Sequence, residues 1–306
     1  MTYSFIIPHH NTPDLLQRLI DSIPQREDIE IIVVDDNSED DKKANISRSD
    51  VRTIFIDKEH TKGAGHARNI GMDAASGKWI LFADADDFYK TGFLQVLDEY
   101  KDDDIEMLFF NIDSVDSETL EPLPRRSKLP RFLINQYTGS KESTENLLYL
   151  CYTPWRKMQR LDFIRKYNMR FEEIPKGNDV FFTYQTAFFA RKWKVNQKVV
   201  YIVTYRNDSM SYHPQTRFLY KNAILSCRKR SKFFRFIGHS DWNQKCVRGR
   251  RIHSVLKYLV LSIKYQPITG IKACFYYLTH YYDIEKKSNY YVDEIKRIEQ
   301  NKKLRK

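Results

Sequence analysis

The sequence predicts an α/β protein in which a mostly parallel sheet is flanked by helices and followed by a basic helical extension. Short apolar runs alternate with segments of helical spacing and are joined by short loops, which is the pattern of βαβ units. Charge separates the extension from the rest: residues 215–306 carry 22 Lys and Arg against 6 Asp and Glu, whereas residues 1–214 carry 29 against 34. We therefore predict a domain boundary after residue 214.

The first five elements follow from apolar spacing and from the positions of proline and glycine. Residues 4–8 form an apolar run that ends at a proline, and residues 14–23 place Leu and Ile at helical spacing behind Pro13, a residue type favoured at the first helical position. Residues 29–34 form a buried-strand run, and residues 51–56 are predicted as a third strand. A helix is predicted at 67–75, ended by the glycine at position 77.

The later elements are assigned in the same way. Apolar strands are predicted at 79–83 and 105–112, with a helix at 93–100 between them. Three prolines stand among basic residues over 120–137, so we expect a loop or lid there. The remaining predicted elements are helices at 142–151, 161–167 and 179–190, a strand at 198–205, and mostly helices beyond residue 215.

Composition bounds the class of protein. Hydrophobic residues make up 42% of the chain and charged residues 30%, values that exclude wholesale disorder. The amino-terminal residues lack the basic segment of a signal peptide, and no apolar run approaches the roughly 18 residues that span a bilayer. Four widely spaced cysteines without a CxxC pair indicate free thiols rather than a zinc site. We therefore expect a cytoplasmic protein.

Three carboxylates follow the predicted strand at 79–83: Asp84, Asp86 and Asp87. Ligands of α/β proteins bind beyond the carboxyl ends of the strands. Clustered carboxylates there suit Mg²⁺ or Mn²⁺, which bind through one or two carboxylates together with substrate phosphates. The alternative is an acidic region before the helix at 93–100. This segment alone leaves both interpretations open.

Two further strand ends, at Pro8 and at Asp36, are predicted at the same edge of the sheet. Because the carboxyl ends of parallel strands line up, this edge fits a sugar nucleotide, with one carboxylate on the nucleoside and another on a metal that bridges the diphosphate. For Asp36 alone, the alternative is a residue of an Asp-Asn-Ser turn.

A glycine-rich segment, residues 63–71, comes after the third predicted strand. A dinucleotide fingerprint follows the first strand, so we reject that interpretation. We interpret the segment instead as a loop leading into a helix N-terminus, where free N–H groups favour phosphate. Arg68 is then a charged partner for a diphosphate, or alternatively a surface arginine in a glycine turn.

Five motifs in order resemble the family 2 glycosyltransferases. The matching segments, each followed by the family pattern, are 4–11 (S-I-I-I-P-x-Y-N), 33–40 (V-V-D-D-G-S-x-D), 67–71 (A-R-N-x-G), 75–80 (A-x-G-x-Y-I) and 82–87 (F-L-D-A-D-D). A weaker match over residues 154–171 resembles W-N-K-L-Y-R-R-x-F-L with a following R-F. It places the acceptor half of the family fold at about residues 151–182.

The resemblance implies a bacterial surface-glycan enzyme with the GT-A fold. The implied reaction is inverting transfer of a hexose-type sugar from a nucleotide diphosphate, UDP first among them, to an acceptor hydroxyl of a polysaccharide or glycolipid. Its transition state is oxocarbenium-like, so the enzyme stabilises the leaving diphosphate and takes a proton from the nucleophile. Residues 1–115 are the implied nucleotide-sugar half and residues 116–214 the acceptor half.

Family roles carry over to the matching positions. Asp86 is the implied ligand of Mn²⁺ or Mg²⁺, and Asp179 is the implied catalytic base, with Asn178 where the family has Glu. The alternative for Asp179 is a helix N-terminal carboxylate favoured by the macrodipole, and the motif context favours the catalytic role. The acceptor side is implied to include Trp155 and Lys157. The residues implied to bind the nucleotide sugar are Pro8, His10 (a Tyr in the family), Asn11, Asp36, Arg68, Asp84 and Asp87.

The basic, aromatic-rich residues 215–306 have two interpretations. Lys and Arg interleaved with Phe at 228–236 fit an interfacial segment attracted to the anionic inner face of the cell membrane, at ~1 kcal/mol per basic residue. Such peripheral binding suits a lipid-linked glycan acceptor. The other interpretation is a helical subdomain that packs its apolar face on the sheet and leaves its lysines in water.

Other classes of protein explain less of the sequence. A nucleic-acid-binding protein accounts for the basic residues but leaves the acidic strand ends without a role, so no nucleic-acid partner is expected. A nucleotidyltransferase needs a glycine-rich basic loop after the first strand, and residues 8–12 have none. A non-catalytic glycosyltransferase-like protein remains an alternative, for which Asn178 is the one hint.

Overall fold

The computed structural model describes residues 1–151, 153–174 and 177–206, together with positions 230, 233, 234 and 260. The helices predicted beyond residue 215 and the basic segment 228–236 therefore lie almost entirely outside the described residues. The chain divides into two compact units, Met1–Asn207 and Asp208–Lys306. The boundary that charge predicts after residue 214 stays a prediction, as does membrane contact by residues 215–306.

The first unit contains eight strands and seven α-helices within its described residues. The strands are β1 (Tyr3–His9), β2 (Ile29–Asp36), β3 (Val51–Ile56), β4 (Trp79–Phe82), β5 (Phe88–Tyr89), β6 (Met107–Asp116), β7 (Lys157–Arg160) and β8 (Trp193–Tyr205). The helices are α1 (Pro13–Asp21), α2 (Ala64–Ala74), α3 (Phe93–Asp98), α4 (Lys128–Asn135), α5 (Lys141–Leu150), α6 (Leu161–Lys166) and α7 (Val180–Phe189). None of these helices has the length and hydropathy that crossing a bilayer requires.

All eight strands form one sheet in the order β3-β2-β1-β4-β7-β6-β8-β5. The pairs β1/β2, β1/β4, β2/β3 and β6/β8 are parallel. The strand β7 is antiparallel to both β4 and β6, and β5 is antiparallel to β8. The α/β class with a helix-flanked sheet is thus confirmed, and four of the seven pairings are parallel. The parallel pairing of β1, β2 and β4 brings their carboxyl ends to one edge.

Both faces of the central strands are covered. In β1, three successive residues, Phe5, Ile6 and Ile7, are fully buried, so the strand is a continuous apolar run rather than an alternating one. Helix α2 packs directly on this strand, since a Cβ atom at Gly71 would collide with the Ile6 side chain. The glycine therefore lets the helix backbone approach the sheet closely.

Three elements differ from the sequence-based expectation. The expected loop or lid over 120–137 is wrong at Lys128–Asn135, which is helix α4. Pro130 is tolerated because it lies in the first turn of α4, where its missing N–H removes no intrahelical hydrogen bond. The short strands β5 and β7 are also unexpected. The sequence of β7, Lys-Met-Gln-Arg, has no apolar run, yet its first three residues are buried.

Candidate functional site

A buried hydrogen-bond network around Asp35 joins the ends of β1 and β2. His9 Nε2 accepts from the backbone N–H of Thr12 at 3.1 Å, so Nδ1 carries the proton and donates to Asp35 Oδ2 at 2.9 Å. The N–H groups of Ser38 and Ala44 donate to the same carboxylate at 2.8 and 2.9 Å. Burial raises the pKa of Asp35, but these hydrogen bonds outweigh it and lower the pKa to about 2. Asp35 therefore fixes the loops that form this edge.

We expect Asp35→Asn to reduce the free energy of unfolding by about 2 kcal/mol at pH 7, since one unit of pKa corresponds to about 1.4 kcal/mol. The folded pKa of Asp35 lies below the unfolded value of about 3.9. The stabilisation is therefore complete above pH ~4 and is lost as the pH falls through about 2. Urea unfolding from pH 7 to pH 3 should show the difference from wild type narrowing. A constant difference, or an equal loss in the exposed control Asp41→Asn, would contradict this.

The residues implied to contact the nucleoside lie beside this network. Asp36 Oδ1 accepts from Thr61 Oγ1 at 2.8 Å, and the Asp36 carbonyl accepts from His10 Nδ1 at 2.9 Å. The Asn11 side-chain oxygen accepts from the N–H of Glu39 at 2.8 Å, and Asn11 itself has a φ of 57°. The structure thus brings His10, Asn11 and Asp36 together, with the ring of His10 exposed.

Pro8 is placed differently from the sequence-based expectation. It does not end the first strand, because β1 continues to His9. Pro8 pairs with Val34 of β2 in the parallel register. It therefore lies inside the sheet, one residue before the Asp35 network begins.

The acidic turn, from Asp84 to Asp87, follows β4 and is held by β8. The hydroxyl of Tyr201 accepts from the N–H of Asp84 and donates to Asp87 Oδ2, each at 2.9 Å. The N–H of Thr204 donates to Asp87 Oδ1 at 2.7 Å. Burial and the charges of the neighbouring carboxylates raise the pKa of Asp87 well above its ordinary value. The sequence implies nucleotide-sugar contact for Asp87, whereas the structure commits both of its oxygens to β8.

Asp86 is positioned through its backbone. Its carbonyl accepts from Arg18 Nη2 at 2.8 Å and from Thr204 Oγ1 at 2.7 Å. No side chain in the described part of the chain donates a hydrogen bond to its carboxylate. Burial and repulsion from Asp84 raise the pKa of Asp86, with Arg206 as the larger opposing charge. The Asp86 carboxylate is therefore a poorly compensated charge that a cation would stabilise.

The acidic turn fits the divalent ion that the resemblance implies. Mg²⁺ and Mn²⁺ take one or two carboxylates from a protein when substrate phosphates supply other oxygens. Asp86, with Asp84 beside it, offers that number. Among the described residues, no group of three or more His, Cys, Asp or Glu is arranged to hold a metal by itself. An ion here would therefore depend on oxygens from a bound diphosphate.

Arg68 links the acidic turn to the segment before α7. It is 6% exposed, which excludes the alternative of a surface arginine. Its Nη2 pairs with Asp84 Oδ1 at 2.5 Å, and its Nη1 donates to Asn178 Oδ1 at 2.9 Å. The first turn of α2 packs against the same segment, because a Cβ atom at Gly65 would collide with the Glu172 carbonyl. Arg68 therefore bridges the implied donor and acceptor halves.

Of the implied acceptor-side residues, Trp155 contacts a residue that holds the acidic turn. Trp155 stacks on Tyr201 with ring centroids 5.5 Å apart, and so supports the ring that holds the acidic turn. Lys157 is 1% exposed at the start of β7. Asp179 is the residue before α7, and its side chain makes no capping hydrogen bond to the helix. Its carboxylate is therefore not used as a helix cap.

Several residues of this site were not predicted from the sequence. His9, Asp35, Arg18, Tyr201 and Thr204 hold the loops in place, and they come from four different strands and helices. The two consecutive aspartates that end β2 were an available signal for Asp35. Successive side chains of a strand point to opposite faces, so one of the two carboxylates must point into the protein. The others carry no local signal.

Comparisons with known proteins agree with the motifs. The model of the family described as "Glycosyl transferase family 2" matches residues 4–167. The chain is 39% identical over 100 residues to the GalNAc(5)-diNAcBac-PP-undecaprenol beta-1,3-glucosyltransferase of Campylobacter jejuni, covering 31% of this chain and 32% of the relative. It is 37% identical over 91 residues to the UDP-Glc:alpha-D-GlcNAc-diphosphoundecaprenol beta-1,3-glucosyltransferase WfaP of Escherichia coli, covering 29% and 36%. Both matches thus span about a third of the relative's own length.

The fold has a counterpart among solved structures. The crystal structure of Staphylococcus aureus TarS 1-349 in complex with UDP-GlcNAc superimposes with a TM-score of 0.56. The alignment covers 88% of this chain and 75% of that one, at 19% sequence identity. At this identity the likeness shows a shared fold, and it agrees with the GT-A architecture that the motifs imply.

Proposed function

Because the chain belongs to glycosyl transferase family 2, we propose that it transfers a sugar from a nucleotide diphosphate sugar to an acceptor hydroxyl with inversion at the anomeric carbon. The observation that carries the proposal is the acidic turn. It places the Asp86 carboxylate, raised in pKa and without a side-chain donor in the described residues, at the edge where the ends of β1 and β2 also lie. In this proposal the turn binds a diphosphate through a metal ion.

The donor in this proposal is a UDP-sugar. WfaP is by name a UDP-Glc enzyme, and the TarS structure contains UDP-GlcNAc. In this chain Asp36 offers its second carboxylate oxygen to the nucleoside, and the exposed ring of His10 offers a stacking surface for the base. The Arg68 guanidinium, although paired with Asp84, adds positive charge next to the diphosphate.

The reaction is a single displacement. The Asp179 carboxylate takes the proton of the acceptor hydroxyl while that oxygen forms a bond to the anomeric carbon. The bond from this carbon to the diphosphate oxygen breaks on the opposite face, which inverts the configuration and releases the nucleoside diphosphate. Asp86 would hold a divalent ion, whose positive charge would stabilise the leaving diphosphate.

The acceptor in this proposal is a lipid-linked glycan of a bacterial surface polysaccharide or glycolipid. Both relatives above are named for acceptors carried on diphosphoundecaprenol. Such an acceptor is presented at a membrane surface. The 22 Lys and Arg of residues 215–306 would favour an anionic membrane there, which makes the protein a peripheral one on the inner face.

Calorimetry of UDP binding tests the proposed donor site. The full chain should bind UDP in Mn²⁺ and lose most of that binding in EDTA, because in this proposal the diphosphate is held through a metal ion at Asp86. GDP is the matched control for charge, and it should bind more weakly if the nucleoside edge recognises uridine. Equal UDP binding with and without metal would contradict metal dependence, and no binding in either would remove UDP from the proposal.

A further inference from the structure

Helix α4 presents apolar side chains to solvent. Leu129 is 51% exposed and Phe132 is 60% exposed, although both are large and apolar. They lie three residues apart, so they share one face of the helix, which we call the apolar face of α4. A single exposed apolar residue is common on protein surfaces, whereas adjacent ones bordered by polar residues indicate an interaction surface.

The protein does not bury this face by turning the helix, because α4 is fixed to the sheet. On the other side of the helix, Ile134 is fully buried. At the start of α4, Ser127 Oγ accepts from Ser114 Oγ of β6 at 3.1 Å. At its end, Asn135 Oδ1 accepts from Asn111 Nδ2 of β6 at 2.8 Å. The apolar face therefore points away from the sheet as a fixed part of the fold.

Positive charge borders the apolar face. Residues 120–137, which include α4, carry four Lys and Arg against one acidic residue. Two of the basic residues, Lys128 and Arg131, are exposed, and each directly precedes a residue of the apolar face. Arg131 pairs with Asp113, whereas Lys128 forms no ion pair within the described part of the chain. Leu and Phe bordered by Lys and Arg are typical of helices that lie at the surface of anionic membranes.

The residues before α4 connect it to the acidic turn. Arg126 Nη1 donates to the carbonyl oxygen of Thr204 at 3.3 Å. The N–H of Thr204 donates to Asp87 Oδ1, and its hydroxyl donates to the Asp86 carbonyl, each at 2.7 Å. A single residue of β8 thus joins the start of α4 to the proposed donor site.

We propose that α4 docks on an anionic phospholipid membrane, with its apolar face among the lipid headgroups and its two exposed basic side chains against the lipid phosphates. A membrane matches both the protruding apolar side chains and the basic residues that border them. Docking itself requires no sugar transfer. Its use, which is to bring a lipid-linked acceptor to the acidic turn, rests on the proposed function. The surface is separate in sequence from residues 215–306.

Vesicle binding by the full chain tests the docking. The double variant Leu129→Ser/Phe132→Ser should bind vesicles of phosphatidylglycerol and phosphatidylcholine about tenfold more weakly than the wild type, because both side chains lose apolar burial. Phe55→Ser is the matched control, since Phe55 is 56% exposed on the edge strand β3, and it should bind as the wild type does. Residues 215–306 are the same in all three proteins, so the comparison isolates α4. Unchanged binding by the double variant, or an equal loss in the control, overturns the inference.

The lipid dependence tests the basic border of the apolar face. Vesicles of phosphatidylcholine alone should reduce the difference between Lys128→Gln and the wild type, because they offer no net negative charge to the lysine. An equal effect of Lys128→Gln on both kinds of vesicle contradicts the docking on anionic lipid.

A fluorescent side chain reads the contact at α4 directly. An environment-sensitive fluorescent amino acid in place of Leu129 should emit at shorter wavelength when the anionic vesicles are added, whereas the same amino acid in place of Phe55 should not. An unshifted emission at position 129 overturns the inference. It is also overturned if the double variant turns a dimer into a monomer and binds vesicles as the wild type does, because the face then binds a second copy. Docking by a protein that transfers no sugar would contradict the proposed function alone.

Discussion

Replacing Asp86 with Asn should abolish metal-dependent UDP binding and lower kcat/KM for sugar transfer by about 10³-fold, the effect of removing one strong electrostatic group from a transition state. Asn keeps the size of the side chain and the backbone carbonyl that Arg18 and Thr204 hold. It removes the charge that a divalent ion requires. Calorimetry with Mn²⁺ and a transfer assay with a UDP-sugar measure the two effects separately.

The same substitution should not destabilise the fold, which separates a binding role from a structural one. Burial and repulsion from Asp84 raise the pKa of Asp86, so its charge is unfavourable in the folded state without a cation. The thermal midpoint of Asp86→Asn should therefore be at least as high as that of the wild type. Asp102→Asn, an exposed acid 86% accessible in its side chain, is the control for both measurements. If UDP binding by Asp86→Asn still depends on the metal, the ion is bound by another residue.

Replacing Asp179 with Asn should lower kcat by ~10²–10⁴ while leaving UDP binding unchanged, because general-base catalysis contributes that much and the donor site lies elsewhere. Single-turnover transfer and UDP calorimetry on the same preparation measure both quantities. Glu173→Gln is the matched control: it removes a carboxylate from the same segment, one that pairs at the surface with Lys62 and His66. Full activity in Asp179→Asn, or an equal loss in the control, would exclude Asp179 as the base.

Strands β1, β2 and β4 were predictable because they are buried on both faces, whereas the edge strand β3 is only partly buried. Each of these three strands is a short apolar run bounded by Gly, Pro or Asp, and such runs are visible locally. The strand β7 was not predictable in that way. Its Lys and Gln side chains are buried by elements that lie far away in sequence. The four residues of β7 therefore contain no local pattern that predicts a buried strand.

The candidate site likewise has one part that was predictable from a local sequence pattern and one part that was not. The acidic turn was found because three carboxylates after an apolar strand form a local pattern. The different roles of Asp84 and Asp87 were not predicted, because residues distant in sequence determine them. Asp84 pairs with Arg68, whereas Asp87 accepts hydrogen bonds from Tyr201 and Thr204, more than a hundred residues later. The sequence alone is enough to locate this turn, whereas tertiary contacts determine which of its oxygens accept hydrogen bonds within the protein.

The place of β7 in the sheet also determines how the protein can be made. It lies between β4 and β6 and pairs with both, although both are synthesised long before it. Until residue 160 has left the ribosome, the facing edges of β4 and β6 lack the strand that joins them, and such open edges are surfaces on which unfinished chains aggregate. Residues 1–115, the implied nucleotide-sugar half, would lack that strand if they were expressed alone. The segment that carries Lys157 joins the two parts of the sheet, and β8, which is made later still, completes it.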